Sequence, residues 1–329
     1  MLKRANALAC LGLGLTGSNP IVGAVVVDSA GKIIGEGFHK SGPHAEVVAL
    51  EQAGQLTQGA TLFVTLEPCN HQGKTGPCTE AIIKAGINRV VYAVSDPNAL
   101  ASGGAKKLEA AGIEVVFNGD VLEIAQSNRA WLHKIKNNRP YFIWKIATTL
   151  DGRTAAIDGS SKWITGPESR AEVSKLRSES NAVLIGTATA LADNPNLIPR
   201  DIEKVNKVNP VRIVMGRREI PSDFNLLNDE AETVFVRSHD FSDLLKLCAE
   251  RDFNQVFVES GSELGTALLK AGLIDELIIF QAASLLGSGL SFIGDLGVTN
   301  IKEKMDFALR DVAQFGNDLK ITLTKEMGI

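Results

Sequence analysis

The chain has 329 residues, 44% of them hydrophobic and 22% charged, a length and balance that suit two globular domains and exclude a disordered or fibrous protein. A formal net charge of −4 offers no general attraction to nucleic acid, and with 5% aromatic residues no base-stacking platform is expected. No run approaches the roughly 18 unbroken apolar residues that a bilayer crossing needs.

Lys3 and Arg4 precede an apolar stretch over residues 5–15, but Asn6, Gly12 and Gly14 interrupt it, so it reads as an amphipathic helix rather than a secretory leader. Residues 21–27, 61–66 and 89–94 are short β-branched runs that predict strands. Between them, residues 45–53 and 79–85 carry helix formers and stop near Gly54 and Gly86. Alternation of this kind predicts a three-layer α/β sandwich. The polar residues 134–140 read as a linker, which puts the domains at 1–139 and 140–329. A second α/β pattern follows, with strands expected at 141–147, 182–185, 211–215, 233–236, 255–259 and 276–280 and helices over 168–179 and 264–271. Cys10 and Cys248 lie in apolar, helix-like settings that suit buried thiols, and the expectation is a cytoplasmic protein without disulfides.

The most informative residues are His44-Ala45-Glu46, Pro68-Cys69 and Pro77-Cys78, each on a strand-to-helix turn. A lone His before a helix is usually a cap, and a lone Cys is usually core. Together, one imidazole and two thiols make a three-ligand zinc set, and a Glu two residues past the His suits a proton shuttle that does not bind metal. Residues 70–77 separate the cysteines, a longer gap than the Pro-Cys-x-x-Cys of general nucleobase deaminases.

Asn19-Pro20-x-Val22-Gly23, His44-Ala45-Glu46, the run from Glu67 to Cys78 and Asp96-Pro97-Asn98 resemble the bifunctional riboflavin-biosynthesis deaminase/reductase family. The resemblance implies a cytidine-deaminase-like α/β/α domain that hydrolyses the 2-amino group of 2,5-diamino-6-ribosylamino-4(3H)-pyrimidinone 5′-phosphate. His44, Cys69 and Cys78 would hold Zn2+, Glu46 would move the protons, and Asn19, His71, Lys74, Asp96 and Asn98 would line the substrate pocket. The family usually follows Asp-Pro-Asn with Pro and a Gly-Arg-Gly element. This chain has Ala99-Leu100-Ala101-Ser102-Gly103-Gly104, whose glycines could still offer amides to a phosphate.

Unaided, the C-terminal half shows one strong feature, the apolar strand ending at Glu259 and running into Ser260-Gly261-Ser262 at a helix start, a geometry that suits a phosphate. The resemblance continues through residues 145–154, 161–165 and 186–197. It implies a dihydrofolate-reductase-like α/β domain that transfers hydride from NADPH to the ribosylamino group. Carried over, Ala147, Trp163, Thr189, Asp193 and the turn Gly261, Ser262, Glu263, Leu264, Gly265, Thr266, Ala267 would hold NADPH. Ser161, Arg177, Leu197, Arg200 and Glu259 would hold substrate. Trp163 and Leu197 also suit core packing, and Arg177 a solvated helix face. At Gly216-Arg217-Arg218 the family more often has Asp before a small hydroxyl residue, and these arginines suit the 2′-phosphate of NADPH.

Two rivals remain at this point: a deaminase whose C-terminal half is not catalytic, and a tRNA-editing deaminase, which the charge, the sparse aromatics and the cysteine gap disfavour. The expected partner is a phosphorylated pyrimidine, with no nucleic acid and no membrane, and the expected assembly is a homo-oligomer, most simply a dimer.

Overall fold

A computed structural model of the chain describes residues 1–71, 76–98, 102–200 and 209–325. Contacts divide it into two units, Met1–Asn138 and Arg139–Ile329. The first contains, in chain order, α1 (Leu2–Cys10), β1 (Gly23–Val27), β2 (Ile33–Phe38), α2 (Ala45–Ala53), β3 (Thr61–Leu66), α3 (Cys78–Lys84), β4 (Arg89–Val94), α4 (Gly104–Ala110), β5 (Glu114–Phe117), α5 (Leu122–Ser127) and α6 (Arg129–Asn137).

The strands make one sheet in the order β2-β1-β3-β4-β5. β1 is antiparallel to both neighbours, whereas β3, β4 and β5 run parallel. Period-two alternation sorts the side chains of β1: Ala24 and Val26 meet Ala49, Ile82 and Leu108 from α2, α3 and α4, while Val25 and Val27 meet Ala5 of α1. Leu2 and Ile124 pack Val91 and Ala93 on that second face, so helices cover both sides, as the alternating pattern predicts. Burying a side chain such as Leu62, Ile82 or Leu108, all at 0% exposure, contributes about 1.5–3 kcal/mol each. Gly37 sets how closely α2 approaches, because a Cβ there would lie 2.4 Å from the Ala45 carbonyl oxygen. The start of α2, where His44 and Glu46 sit, is thus pressed onto β2.

The second unit contains β6 (Tyr141–Thr149), β7 (Arg153–Ala155), α7 (Pro167–Ser178), β8 (Ala182–Gly186), α8 (Thr187–Asp193), β9 (Val211–Met215), β10 (Thr233–Val236), α9 (Phe241–Glu250), β11 (Gln255–Val258), α10 (Ser262–Lys270), β12 (Glu276–Ala282), β13 (Leu290–Ser291), β14 (Ala308–Phe315) and β15 (Asp318–Thr324). Its main sheet has the order β10-β9-β8-β11-β6-β12-β15-β14. The strands from β10 to β12 are parallel, and the β14–β15 hairpin closes one edge in antiparallel register. Phe142, Trp144, Leu184, Ile213, Val256 and Val258 build the core with Leu244 and Cys248 of α9 and Leu268 of α10. In a parallel sheet the strand ends that carry ligands share one side, and here that side carries Glu259, Gly186 and Gly216.

Two expectations need correction. The stretch 134–140 is not an extended linker: α6 runs to Asn137, burying Trp131 and His133 while Lys134 and Lys136 face outward, and only Asn138, at φ 52°, breaks the helix. The first helix starts earlier than expected and stops at Cys10, followed by tight turns through the glycine-containing residues 11–15, which are poor helix formers. Among the described residues no helix is long and apolar enough to cross a membrane.

Candidate active sites

In the first unit, three chain segments converge. His44 is the N-cap of α2, with extended backbone at φ −70° and ψ 158°. Cys69 follows β3, and Cys78 is the first residue of α3. His44 Nδ1 lies 3.1 Å from Cys78 Sγ and 3.5 Å from Cys69 Sγ, and the Cys78 amide donates to Cys69 Sγ at 3.4 Å. The three donor atoms all fall within 4.8 Å of one another. Neither cysteine forms a disulfide, and both are buried.

The Cys78 thiol donates to Cys69, which holds Cys69 well below the ordinary thiol range against the cost of burial; His44 adds to the effect. The same hydrogen bond, together with burial, pushes Cys78 upward. His44 is raised by its contact with Cys69. A buried pair of sulfurs that already favours a thiolate, beside one imidazole, has the donor chemistry of a three-residue zinc site. The residues present fit that ion.

Glu46, the second residue of α2, is 4% exposed, and burial lifts its carboxyl to about 6. A carboxyl poised near neutrality suits proton transfer in both directions. Around this centre, Asn19 Nδ2 lies 3.4 Å from His39 Nε2, and the His39 ring packs edge-on against His44 with centroids 5.4 Å apart. His71 keeps a buried Nδ1 with no protein partner, an orphaned atom that suits a ligand contact. Asp96 accepts from the Asn98 amide at 2.8 Å, and its carboxyl is raised by burial. Lys74 lies outside the described residues, as do residues 99–101. Gly104 is pressed against the Pro68 carbonyl, where a Cβ would sit 1.7 Å away, so packing by itself requires glycine there.

Sequence reasoning did not single out His39 or Glu67. The first joins Asn19 to the metal ligand. The second, a buried carboxylate, accepts from the amides of Asp96 at 3.3 Å and Ala105 at 3.1 Å, fixing both flanks of the altered loop. Each sits next to a recognised motif, and only tertiary placement reveals its partner.

In the second unit, Glu259 follows β11 and is clasped by Arg177 of α7, whose Nη2 donates at 2.9 Å and whose Nε donates to the other oxygen. Lys145 of β6 completes the cluster at 3.1 Å. Burial alone would raise Glu259, but Arg177 and Lys145 outweigh it and bring the carboxyl down to about 2. Arg177 is therefore no solvated helix residue, and Lys145, at the head of the 145–154 run, joins the site.

Thr189 Oγ1 accepts from the Gly261 amide at 3.3 Å, joining two turns expected to hold the cofactor. α10 starts at Ser262 with no side-chain cap, and Ser260 just before it has a buried hydroxyl with no partner. Uncapped amides beside an orphaned hydroxyl fit a phosphate group. Gly265 and Thr266 face inward: a Cβ on Gly265 would lie 2.0 Å from Trp144, and Thr266 Oγ1 accepts from the Gly294 amide at 2.8 Å. They shape the turn from behind, while Glu263, Leu264 and Ala267 complete the helix.

Trp163 is 69% exposed and stacks on Arg170, which removes the core-packing reading, whereas Leu197 is buried at 4% with φ 61°. Lys162 reaches Asp193 at 4.0 Å, Ala147 is half-buried on β6, and Ser161 is half-buried beside Lys162. Arg200 is exposed, with its carbonyl held by Ser174 of α7 at 2.6 Å.

The family model described as the cytidine and deoxycytidylate deaminase zinc-binding region matches residues 1–94, and that of the RibD C-terminal domain matches residues 140–321. The riboflavin biosynthesis protein RibD of Mycobacterium tuberculosis is 42% identical over 314 residues, covering 94% of this chain and 92% of the relative. The structure is similar to Acinetobacter baumannii RibD, form 1, with a TM-score of 0.91, 36% identity and 99% and 98% of the two chains covered. It is also similar to the diaminohydroxyphosphoribosylaminopyrimidine deaminase/5-amino-6-(5-phosphoribosylamino)uracil reductase of Thermotoga maritima, with a TM-score of 0.90, 35% identity and 98% and 97% covered. The chain belongs to the RibD family of riboflavin-biosynthesis enzymes, and it carries both halves of that bifunctional protein, a zinc-binding deaminase domain and a reductase domain.

Proposed function

We propose that residues 1–139 hydrolyse 2,5-diamino-6-ribosylamino-4(3H)-pyrimidinone 5′-phosphate at C2, releasing ammonia, and that residues 140–329 reduce the deaminated product at C1′ with NADPH. The observation that carries this reading is the convergence of His44, Cys69 and Cys78 beside a buried Glu46, in a chain whose other unit holds an ionised Glu259 between two cations.

Zinc, when held by His44, Cys69 and Cys78, supplies Lewis acidity toward water at neutral pH. Glu46 takes a proton from the attacking water and delivers it to the ring and the departing amine, so that water and amidine become carbonyl and ammonia. Asn19, His71, Lys74, Asp96 and Asn98 orient the pyrimidine phosphate, and His39 keeps Asn19 in register with the metal ligands. NADPH, when bound, supplies the hydride in the second reaction. The turn from Gly261 to Ala267, with Thr189, Ala147, Trp163 and Asp193, positions it. Glu259 stays ionised because Arg177 and Lys145 flank it, and so accepts hydrogen bonds from the hydroxyl groups of the ring-opened sugar; Ser161, Leu197 and Arg200 border the same end. The free cysteines support a cytoplasmic setting, and a dimer is the assembly we propose.

The test is to incubate the purified protein with the diaminopyrimidine phosphate, with and without NADPH, and to follow ammonia together with nicotinamide absorbance. Ammonia in both samples and NADPH oxidation in one is the expected result. Ammonia without oxidation would leave a deaminase alone.

A further inference from the structure

Of the three tryptophans, Trp131 and Trp144 are 7% and 1% exposed, whereas Trp163 is 69% exposed. An indole left in water forfeits the free energy of burial, and on a free loop it would turn inward onto apolar surface. The segment that carries Trp163, residues 156–166 between β7 and α7, is instead held at its far end and along its length. The Gly166 amide donates to Asp318 at 2.7 Å, at the start of β15, and the same carboxylate oxygen accepts the Ser169 hydroxyl at 2.6 Å. Lys162 comes within 4.0 Å of Asp193 on α8, the helix whose Thr189 accepts from the Gly261 amide.

Arg170, in the first turns of α7, acts on the indole itself. Its Nη1 donates to the Thr165 carbonyl at 2.7 Å, and its guanidinium carbon lies 4.7 Å from the centroid of the Trp163 ring. The hydrogen bond fixes where the guanidinium stands, and the guanidinium then backs one face of the indole. A planar guanidinium can stack on a ring and donate in its own plane at once, which an ammonium cannot do as well. The ring quadrupole supplies the attraction, and Arg170 is half-buried, which keeps part of the water away from the contact. With one face covered and the residue still largely exposed, the opposite face is open to a ligand.

We propose that Arg170 is a positioning residue for the reductase: it acts through Trp163, holding the open face of the indole outward as a preformed contact surface for NADPH, without touching the cofactor itself. This rests on the reading above that Trp163 contacts NADPH. Fixing the ring before the cofactor arrives removes the ordering cost that a mobile side chain would add to binding.

The experiment is a double-mutant cycle on the full-length protein, with NADPH dissociation constants from calorimetric titration of wild type, Arg170→Ala, Trp163→Ala and the double variant. Arg170→Ala should weaken NADPH binding about fivefold when Trp163 is present and by no more than about twofold when it is absent. Acrylamide-quenchable emission, which Trp163→Phe should remove, reports the exposed indole, and in Arg170→Ala its anisotropy should fall. Arg170→Lys, which keeps the cation but not the planar fork, should lie between wild type and Arg170→Ala in both readouts, and it carries the same cycle should Arg170→Ala fail to fold. Unchanged NADPH affinity in the Arg170 variants, or an equal loss with and without Trp163, overturns the positioning role and leaves the reductase reading intact. Unchanged affinity in Trp163→Ala removes Trp163 from the cofactor and the proposal with it, whereas wild-type protein that binds no NADPH overturns the reductase reading itself.

Discussion

Arg212 on β9 is 0% exposed, and its two terminal nitrogens are held by oxygen atoms rather than by a carboxylate, while its buried Nε has no partner. Its guanidinium donates to the Asn225 carbonyl at 3.0 Å, the Asn228 side chain at 3.0 Å and carbonyl at 2.9 Å, and also to the Ala231 carbonyl. Weaker contacts reach Asn196 at 3.3 and 3.4 Å. Arg212→Met keeps the stem and removes every donor. Three main-chain carbonyls then lose a buried partner, at about 1–3 kcal/mol each, or roughly 3–9 kcal/mol in sum. Against that stands relief from desolvating a cation that Glu230 only partly offsets, several kcal/mol in the other direction. A net loss of about 3 kcal/mol is expected, which for a unit of this size lowers Tm by about 6–12 °C. Differential scanning calorimetry measures the shift, and residual NADPH oxidation after a heat step assigns it to the reductase unit, with ammonia release as the internal control. A drop smaller than about 2 °C would mean that the burial cost cancels the hydrogen bonds, and the reasoning would fail.

Glu46→Gln should keep its metal stoichiometry yet lose deamination by about 10²–10⁴-fold, while reduction of supplied deaminated substrate continues; metal analysis with both assays checks this. For Glu259 the folded carboxyl sits at about 2 against an ordinary value of 4.5, so its contribution is complete above 4.5 and disappears as pH falls toward 2. That window should cost the reductase unit about 3 kcal/mol, read as an acid-induced fall in Tm that Glu259→Gln abolishes while lowering stability at neutral pH. Gly265→Ala drives a Cβ to within 2.0 Å of the Trp144 ring and should destabilise by about 1–3 kcal/mol. It should also weaken NADPH binding by tilting the start of α10, and a mutant that binds as tightly as wild type would refute the supporting role of that contact.

The parts of the fold that were legible are those where local chemistry and burial agree. Helix Ala45–Ala53 and strands Thr61–Leu66, Arg89–Val94, Val211–Met215 and Thr233–Val236 have the bounds their sequences predict, since parallel buried strands read as unbroken β-branched runs. β2 was illegible because Gly35 and Gly37 dilute its pattern for the sake of the helix packed on it. The β14–β15 hairpin escaped notice for the opposite reason: β14 is exposed over Leu309 to Val312 and carries Arg310 and Asp311, so nothing in it resembles a core strand. At the sites, His44, Glu46, Cys69 and Cys78 are compressed into short, distinctive motifs. Lys145, His39 and Glu67 acquire meaning only from what the fold brings beside them, and no spacing rule could have named those partners.

The Glu67 carboxylate, two positions before Cys69, moors the Asp96 amide with one oxygen and the Ala105 amide with the other. Both moorings are main-chain amides, so the carboxylate can hold them whatever side chains stand at those two positions. Gly104, one residue before the second mooring, admits no side chain beneath the Pro68 carbonyl, so the end of the loop is pinned from two directions.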